Sequence, residues 1–264
     1  MSSYYLQKYS DKLIAEKSFS KSHGWLRIKL CDLSERWRWW SFALLRDKVP
    51  VTPIPKISFA ENFNESAEPY KVIKRCVDPY DRESFHKLLD WLLYSFGDSS
   101  VKALSFDTKH LEANFKLEPF FEEPGDWVGH FYETEIISKS GREKSGFFST
   151  PMSICNLLTS ISQPKLTDTV HEPCVGTGRM LLAASNYSIK LSGQDINPDL
   201  VKICKINAWL YMPSLIFPIT LKEVPKIESR RYQKNSRPML PANANDRGSL
   251  QLSSRFSAMH NQPL

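Results

Sequence analysis

Three groups of residues have the types and spacing to handle an adenosine-bearing ligand. Gly176 and Gly178 form a Gly-x-Gly turn. Backbone without side chains lets a ligand lie close across the carboxyl ends of parallel strands. Asp195 follows Gly176 by 19 residues, near the spacing of roughly 20 at which an acid after the second strand accepts hydrogen bonds from ribose hydroxyls. Such an acid suits a ribose that carries no 2′-phosphate. Glu172 closes the segment before the turn, where it could face a ligand ammonium or hold the turn through backbone N–H groups. Asn197 before Pro198 has the form of a helix N-cap, a structural part.

Which adenosine ligand fits is narrowed by what the turn lacks. Position 181 is Leu rather than a third Gly, which counts against a dinucleotide, and no G-x-x-x-x-G-K-[ST] occurs, which excludes a P-loop. S-adenosylmethionine (SAM) is the better candidate, since its adenosine needs the acid and its methionine half needs a polar, charged mouth. On the turn alone, the alternative is an unrelated α/β protein whose two glycines only make a tight bend. The six histidines show no ligand spacing, so no metal is expected. The five cysteines are scattered and never in C-x-x-C, the pattern of buried, reduced thiols.

The elements that must position these residues are legible in the hydrophobic pattern. Tyr4–Lys17 and Trp25–Leu45 read as helices, the second holding Arg36-Trp37-Arg38-Trp39-Trp40. An Arg/Trp cluster can stack on bases; packing around a small core, with the arginine stems covering the indole edges, is the reading favoured here. Pro50, Pro53 and Pro55 interrupt the pattern, and Glu61–Pro69 reads as a loop. From Arg82, the apolar set Phe85, Leu88, Leu89, Leu92, Leu93 and Phe96 predicts a helix ending at Gly97. Asp126–Ile137 is a further helical stretch. After the polar run Ser138–Ser145 a helix from Pro151 carries Ile154, Leu157, Leu158 and Ile161 on one face. Then come a strand over Thr167–Glu172, the turn, a helix Met180–Ala184, a strand Ile189–Gln194 and a helix from Pro198 to about Tyr211. That order is a βαβα unit. Leu215–Leu221 could be one more strand, and Glu223–Leu264 loses periodicity.

The chain of 264 residues is 41% hydrophobic and 24% charged, a globular composition with room for one or two domains. No run approaches the ~18 apolar residues of a membrane span and the first residues lack a signal-peptide core, so a cytoplasmic protein is expected. The net charge of +6 does not argue for nucleic acid. Eight basic and three acidic residues lie in 221–264, leaving the body at +1, so the excess would give only salt-sensitive, non-specific attraction.

Four motifs in register carry a resemblance. Gly146-Phe147-Phe148-Ser149-Thr150-Pro151 resembles the G-x-F/Y-F/Y-T-P motif of N6-adenine DNA methyltransferases, notably the modification subunits of type I restriction systems. Glu172-Pro173-Cys174-Val175-Gly176-Thr177-Gly178 resembles their D/E-P-x-x-G-T/S-G, and Gly193-Gln194-Asp195-Ile196-Asn197-Pro198 their G-x-D/E-x-N/D-P. Gly125 to Glu133 is similar to their D-x-x-G-x-x-Y-E helix. The resemblance covers residues 124–212. It implies a SAM-binding site in which Phe148 and Thr150-Pro151 close over the methionine end, Glu172, Gly176 and Gly178 line the cofactor, Asp195 holds the ribose and Ile196 packs on adenine. Ser149 departs from the usual second aromatic, and Glu172 stands where Asp is commoner.

One motif of that family is missing. Methyl transfer to adenine N6 needs acceptors that draw the amine toward sp³ geometry and an aromatic that stacks on the extruded base. The family does this with D/N-P-P-F/Y/W, and the chain contains no Pro-Pro dipeptide. Asn243-Ala244-Asn245-Asp246 is the only loosely similar cluster, and the 52 residues after Met212 are too few for the remaining strands and a target-recognition region. The expected fold is therefore an α/β SAM-dependent methyltransferase (Rossmann-like) half-domain, preceded by an all-α N-terminal domain and followed by a disordered tail. The boundaries are 1–140, 141–221 and 222–264. The expected function is that of a SAM-dependent, adenine-specific DNA methyltransferase of a restriction-modification system, catalytically incomplete as an isolated chain. DNA is the expected substrate, with specificity and restriction subunits or a complementing methyltransferase fragment as partners. The alternative is a non-catalytic module that binds SAM or DNA, or a partner subunit.

Overall fold

The computed structural model describes residues 22–219 except Asp47, Pro79, Arg82 and 139–147. These belong to the first of two compact units, Met1–Lys226. The expected helix Tyr4–Lys17, Gly146-Phe147 of the first motif and everything from residue 222 onward lie outside the described residues.

The expected helix Trp25–Leu45 is two helices, Arg27–Leu33 (α1) and Glu35–Arg46 (α2). The break is at Ser34, whose backbone is extended at φ −123° and ψ 119°. Its hydroxyl accepts from Trp37 N–H at 3.3 Å, the local bond by which serine competes with helix continuation. Trp37, Trp39 and Trp40 are all buried, so the cluster packs rather than presents a stacking face. The Arg36 guanidinium has partners of its own. It is buried itself, donating to the Pro55 carbonyl from Nε and Nη2, to Ser185 Oγ and the Tyr211 carbonyl from Nη1, and to Asn186 Oδ1. Burial pulls this guanidinium down to about 9, still charged at neutral pH.

Helix α3 (Glu68–Cys76) begins inside the expected polar loop, because Pro69 sits in its first turn, where a missing N–H costs nothing. Helix α4 (Ser84–Phe96) matches its apolar spacing, and Gly97 caps it in the left-handed conformation, donating to the Leu93 and Tyr94 carbonyls. The short helices α5 (Lys109–Asn114), α6 (Glu118–Glu122) and α7 (Trp127–Phe131) follow, α7 running on as a π-helical turn over Tyr132–Ile137.

Past residue 147 the order is α8 (Met152–Ser162), β1 (Thr169–Glu172), α9 (Arg179–Ala184), β2 (Lys190–Gly193), α10 (Pro198–Tyr211) and α11 (Pro213–Ile216). β1 and β2 pair in parallel from Thr169 opposite Lys190 to Glu172 opposite Gly193. The expected strand from Leu215 is not formed among the described residues. Pro213 nucleates α11 instead, taking in Leu215 and Ile216. The apolar face read on α8 is also turned outward: Ile154, Leu157, Leu158 and Ile161 are exposed while Met152, Cys155 and Thr159 are buried.

The described residues are mostly helical, with one two-stranded parallel sheet. The larger apolar cluster runs from Leu30 and Trp37 through Tyr70, Leu88, Phe96 and Phe131 to Leu181, Ile203 and Trp209, and a smaller one gathers Trp39, Trp40, Ala43, Val49, Ile54 and Ile189. The helices before residue 140 thus share a core with the βα segment after it. Each such side chain contributes about 1.5–3 kcal/mol on full burial. Among the described residues no helix is long and apolar enough to cross a membrane.

Candidate functional site

The site is built where the two strands end. Gln194 N–H donates to the Glu172 carbonyl at 3.0 Å and Val175 N–H to the Gln194 carbonyl at 2.8 Å. These bonds carry the pairing beyond the strands and fix the turn against the start of the next loop. Gly176 and Gly178 follow at φ +54° and +93°, where a side chain is strained. At Gly178 a Cβ would also lie 2.8 Å from Cys204 Sγ. The turn closes onto Asp195, whose Oδ2 accepts from Gly176 N–H at 2.9 Å. The other oxygen accepts from Asn197 N–H, also at 2.9 Å. Each oxygen of this half-buried carboxylate keeps acceptor capacity beyond those bonds. Asn197 is the N-cap the sequence implied, its side chain accepting from Asp199 N–H at 2.9 Å.

Beside Asp195 lies a cavity of about 600 Å³. One wall is Asp195, Ile196, Pro198 and Val201, and the facing wall is Ser100–Ala103 from the loop after α4. That loop is held by Asp98. One carboxylate oxygen of Asp98 accepts from Ser100 N–H and Oγ and from Lys205 Nζ, and the other from Trp209 Nε1 at 3.2 Å. Burial alone would raise the Asp98 pKa, but these donors outweigh it and hold it below the ordinary value.

Of the residues singled out in the sequence, the fold brings Gly176, Gly178 and Asp195 together, with Ile196 exposed at the cavity. Glu172 turns toward the loop, with Oε1 3.5 Å from Cys174 N–H. Phe148 stands 80% exposed, and Pro151 precedes α8. The Thr150 carbonyl accepts from Arg179 Nη1 at 3.4 Å.

Sequence reasoning assigned no role to the group at the centre. Asp126 caps α7 from a fully buried position, and its carboxylate accepts four bonds. Oδ1 takes Gly129 N–H at 3.0 Å and Asn207 Nδ2 at 2.7 Å; Oδ2 takes Thr177 Oγ1 at 2.5 Å and Arg179 Nε at 2.7 Å. Asn207 Nδ2 also donates to the Thr177 carbonyl at 2.9 Å. Arg179 is itself buried, its Nη2 3.8 Å from Glu133 Oε2 and its guanidinium 5.2 Å from the Phe63 ring centroid. His130 lies on the same ring, 4.8 Å between centroids, and burial together with Arg179 lowers its pKa. One signal was available: Asn207 is a lone amide in the otherwise apolar run from Ile206 to Met212.

A glycine turn after the first strand, an acid after the second and helices packed around a parallel pair are the features of a methyltransferase half-domain. Residues 123–213 match the family model described as N-6 DNA Methylase. Over 109 residues the chain is 29% identical to the type I restriction enzyme MjaVIII methylase subunit of Methanocaldococcus jannaschii. The match covers 39% of this chain and 19% of that relative, so the chain spans about a fifth of the relative's length. No solved structure matches the chain.

Proposed function

We propose that the chain is the cofactor-binding part of a SAM-dependent, adenine-specific DNA methyltransferase of restriction-modification type, with a Rossmann-like βα segment at 141–221 behind a helical segment at 1–140. The observation that carries this reading is Asp195, which holds the glycine turn through Gly176 N–H and also lines the cavity. The residues fit SAM. Asp195 offers acceptor capacity to ribose hydroxyls, and Ile196, Val101 and Val201 offer apolar surface to adenine. The positive φ at Gly176 and Gly178 would let backbone lie close to the methionine half, and Glu172, at the start of the turn, offers a carboxylate for its ammonium. When bound, SAM supplies the methyl group and its leaving sulfur. The chain's own residues bind and orient it: Asp195 fixes the turn and the ribose together, and Phe148 with Thr150-Pro151 closes the methionine end.

The substrate would be adenine in DNA, and the partners would be specificity and restriction subunits or a fragment that brings the D/N-P-P-aromatic motif. A second reading, a module that binds SAM or DNA without catalysing transfer, is favoured by one observation: these 264 residues hold no Pro-Pro dipeptide. Calorimetric titration with SAM tests the first, beside an Asp195→Ala variant. Micromolar binding lost in the variant supports it, and absent binding by the wild type overturns it. Transfer from labelled SAM to unmethylated DNA separates the two. Incorporation by this chain alone would exclude the non-catalytic module.

A further inference from the structure

Resting on the SAM reading above, we propose that Asp126 is a positioning residue for the cofactor turn: it acts through Thr177, Arg179 and Asn207 to hold Gly176–Gly178 in the ligand-accepting shape. The four donors on its carboxylate come from three parts of the chain. Gly129 belongs to its own helix, Thr177 and Arg179 flank the second turn glycine, and Asn207 lies in the second half of α10. A carboxylate has about four acceptor sites, and all four are used, so Asp126 has none left for a ligand and works through its partners.

Those partners bracket the turn. Gly178 sits between the two residues that Asp126 holds, and the Thr177 carbonyl is fixed from the far side by Asn207 at 2.9 Å. Left-handed glycines such as Gly176 and Gly178 give the turn its shape and are also its softest joints, since glycine has the most backbone freedom to lose. Asp195 restrains the turn from the front at Gly176. Asp126 restrains it from behind, and it does so from α7, an element of the helical layer. The same cluster reaches the methionine side: Arg179 Nη1 meets the Thr150 carbonyl, and Ser149 Oγ donates to Glu133 Oε2. A buried ion pair of this sort is weak support for stability; the Asp126 oxygens are fully used, while Arg179 Nη2 and Asn207 Oδ1 on its partners are buried without a hydrogen bond.

The test uses Asp126→Asn and Thr177→Val in the full chain. Asparagine presents an NH2 to donors that need an acceptor, and valine deletes one donor at nearly constant volume. Two measurements are made: SAM affinity by calorimetry, and amide hydrogen exchange across residues 175–179 without ligand. Both variants should bind SAM roughly ten- to a hundredfold more weakly, the loss that follows when the hydrogen-bond partner of a metal ligand is removed. Exchange at 175–179 should rise while the amides of α4 stay protected. Affinity within twofold of wild type in a folded variant, with unchanged exchange at the turn, overturns the proposal. If Asp126→Asn does not fold, Thr177→Val decides by the same criteria. If the wild type itself binds no SAM, the cofactor reading fails, and exchange at the turn still decides whether Asp126 positions it.

Discussion

Trp37 and Trp209 stack with ring centroids 5.9 Å apart and planes 11° from parallel, and Trp37 Nε1 donates to the Trp209 carbonyl at 2.8 Å. One side chain comes from α2 and the other from α10, so the pair joins the helical layer to the segment that carries Asn197 and Asn207. Trp209 continues the stack onto Phe96 at 5.8 Å and reaches Asp98, which anchors the cavity wall. Packing in this column and the shape of the cavity are therefore coupled.

Trp37→Ala should destabilise the fold by about 3–5 kcal/mol, the cost of a large-to-small change at a buried aromatic. Urea unfolding monitored by circular dichroism measures it. Trp37→Phe should cost less by keeping a ring in the stack while losing the indole hydrogen bond.

Gly178→Ala should destabilise on two counts, the positive φ and the approach of its Cβ to Cys204 Sγ. The double variant Gly178→Ala with Cys204→Ala removes the second and keeps the first. In thermal melts it should recover part of the loss that remains after Cys204→Ala is subtracted. Full recovery would mean the backbone conformation imposes no cost.

The cavity wall makes a ligand prediction. Val101→Arg places a long charged side chain in the space opposite Ile196, and should weaken SAM binding by about tenfold or more while leaving the thermal midpoint nearly unchanged, since Val101 is only half-buried. Equal affinity in calorimetry would place the nucleoside elsewhere.

Acid should destabilise the protein in two stages. His130 has a lowered pKa in the folded state, so the unfolded chain takes up its proton first. The stability it contributes is complete above 6.5 and drains as pH falls through the lower folded value. Asp98, also lowered, contributes fully above 3.8, and this is lost at more acid pH as it protonates. Thermal midpoints of His130→Phe should lack the first stage relative to wild type, and those of Asp98→Asn the second.

How much of this was legible depended on how local each signal is. The glycine turn, both strands and Asn197 are marked by residue types within a few positions of one another, and each formed within a residue or two of where the pattern placed it. The break at Ser34 was hidden because a serine hydroxyl bonding three residues ahead leaves the apolar spacing intact on both sides. On α8 periodicity marked an apolar face, but periodicity carries no direction, and Met152, Cys155 and Thr159 are what the neighbouring elements accept. Asp126 stood in a recognised motif, yet its role was invisible because three of its partners lie 51, 53 and 81 residues away. Only the fold assembles that carboxylate's surroundings.

Arg36 bears on how the molecule reaches its native state. Its partners stand 19, 149, 150 and 175 residues distant, so its donors are all satisfied only when the proline-rich loop, the end of α9 and the end of α10 have met. Contacts of such long range are closed late and slow folding through the entropy of the loops they shut. They also make assembly all-or-none: residues 123–213 expressed alone would leave the Ser185, Asn186 and Tyr211 acceptors without their guanidinium and Trp209 without Trp37. The part of the sequence most readily recognised is thus a dependent portion of the folding unit, and refolding yields should collapse when the first 60 residues are removed.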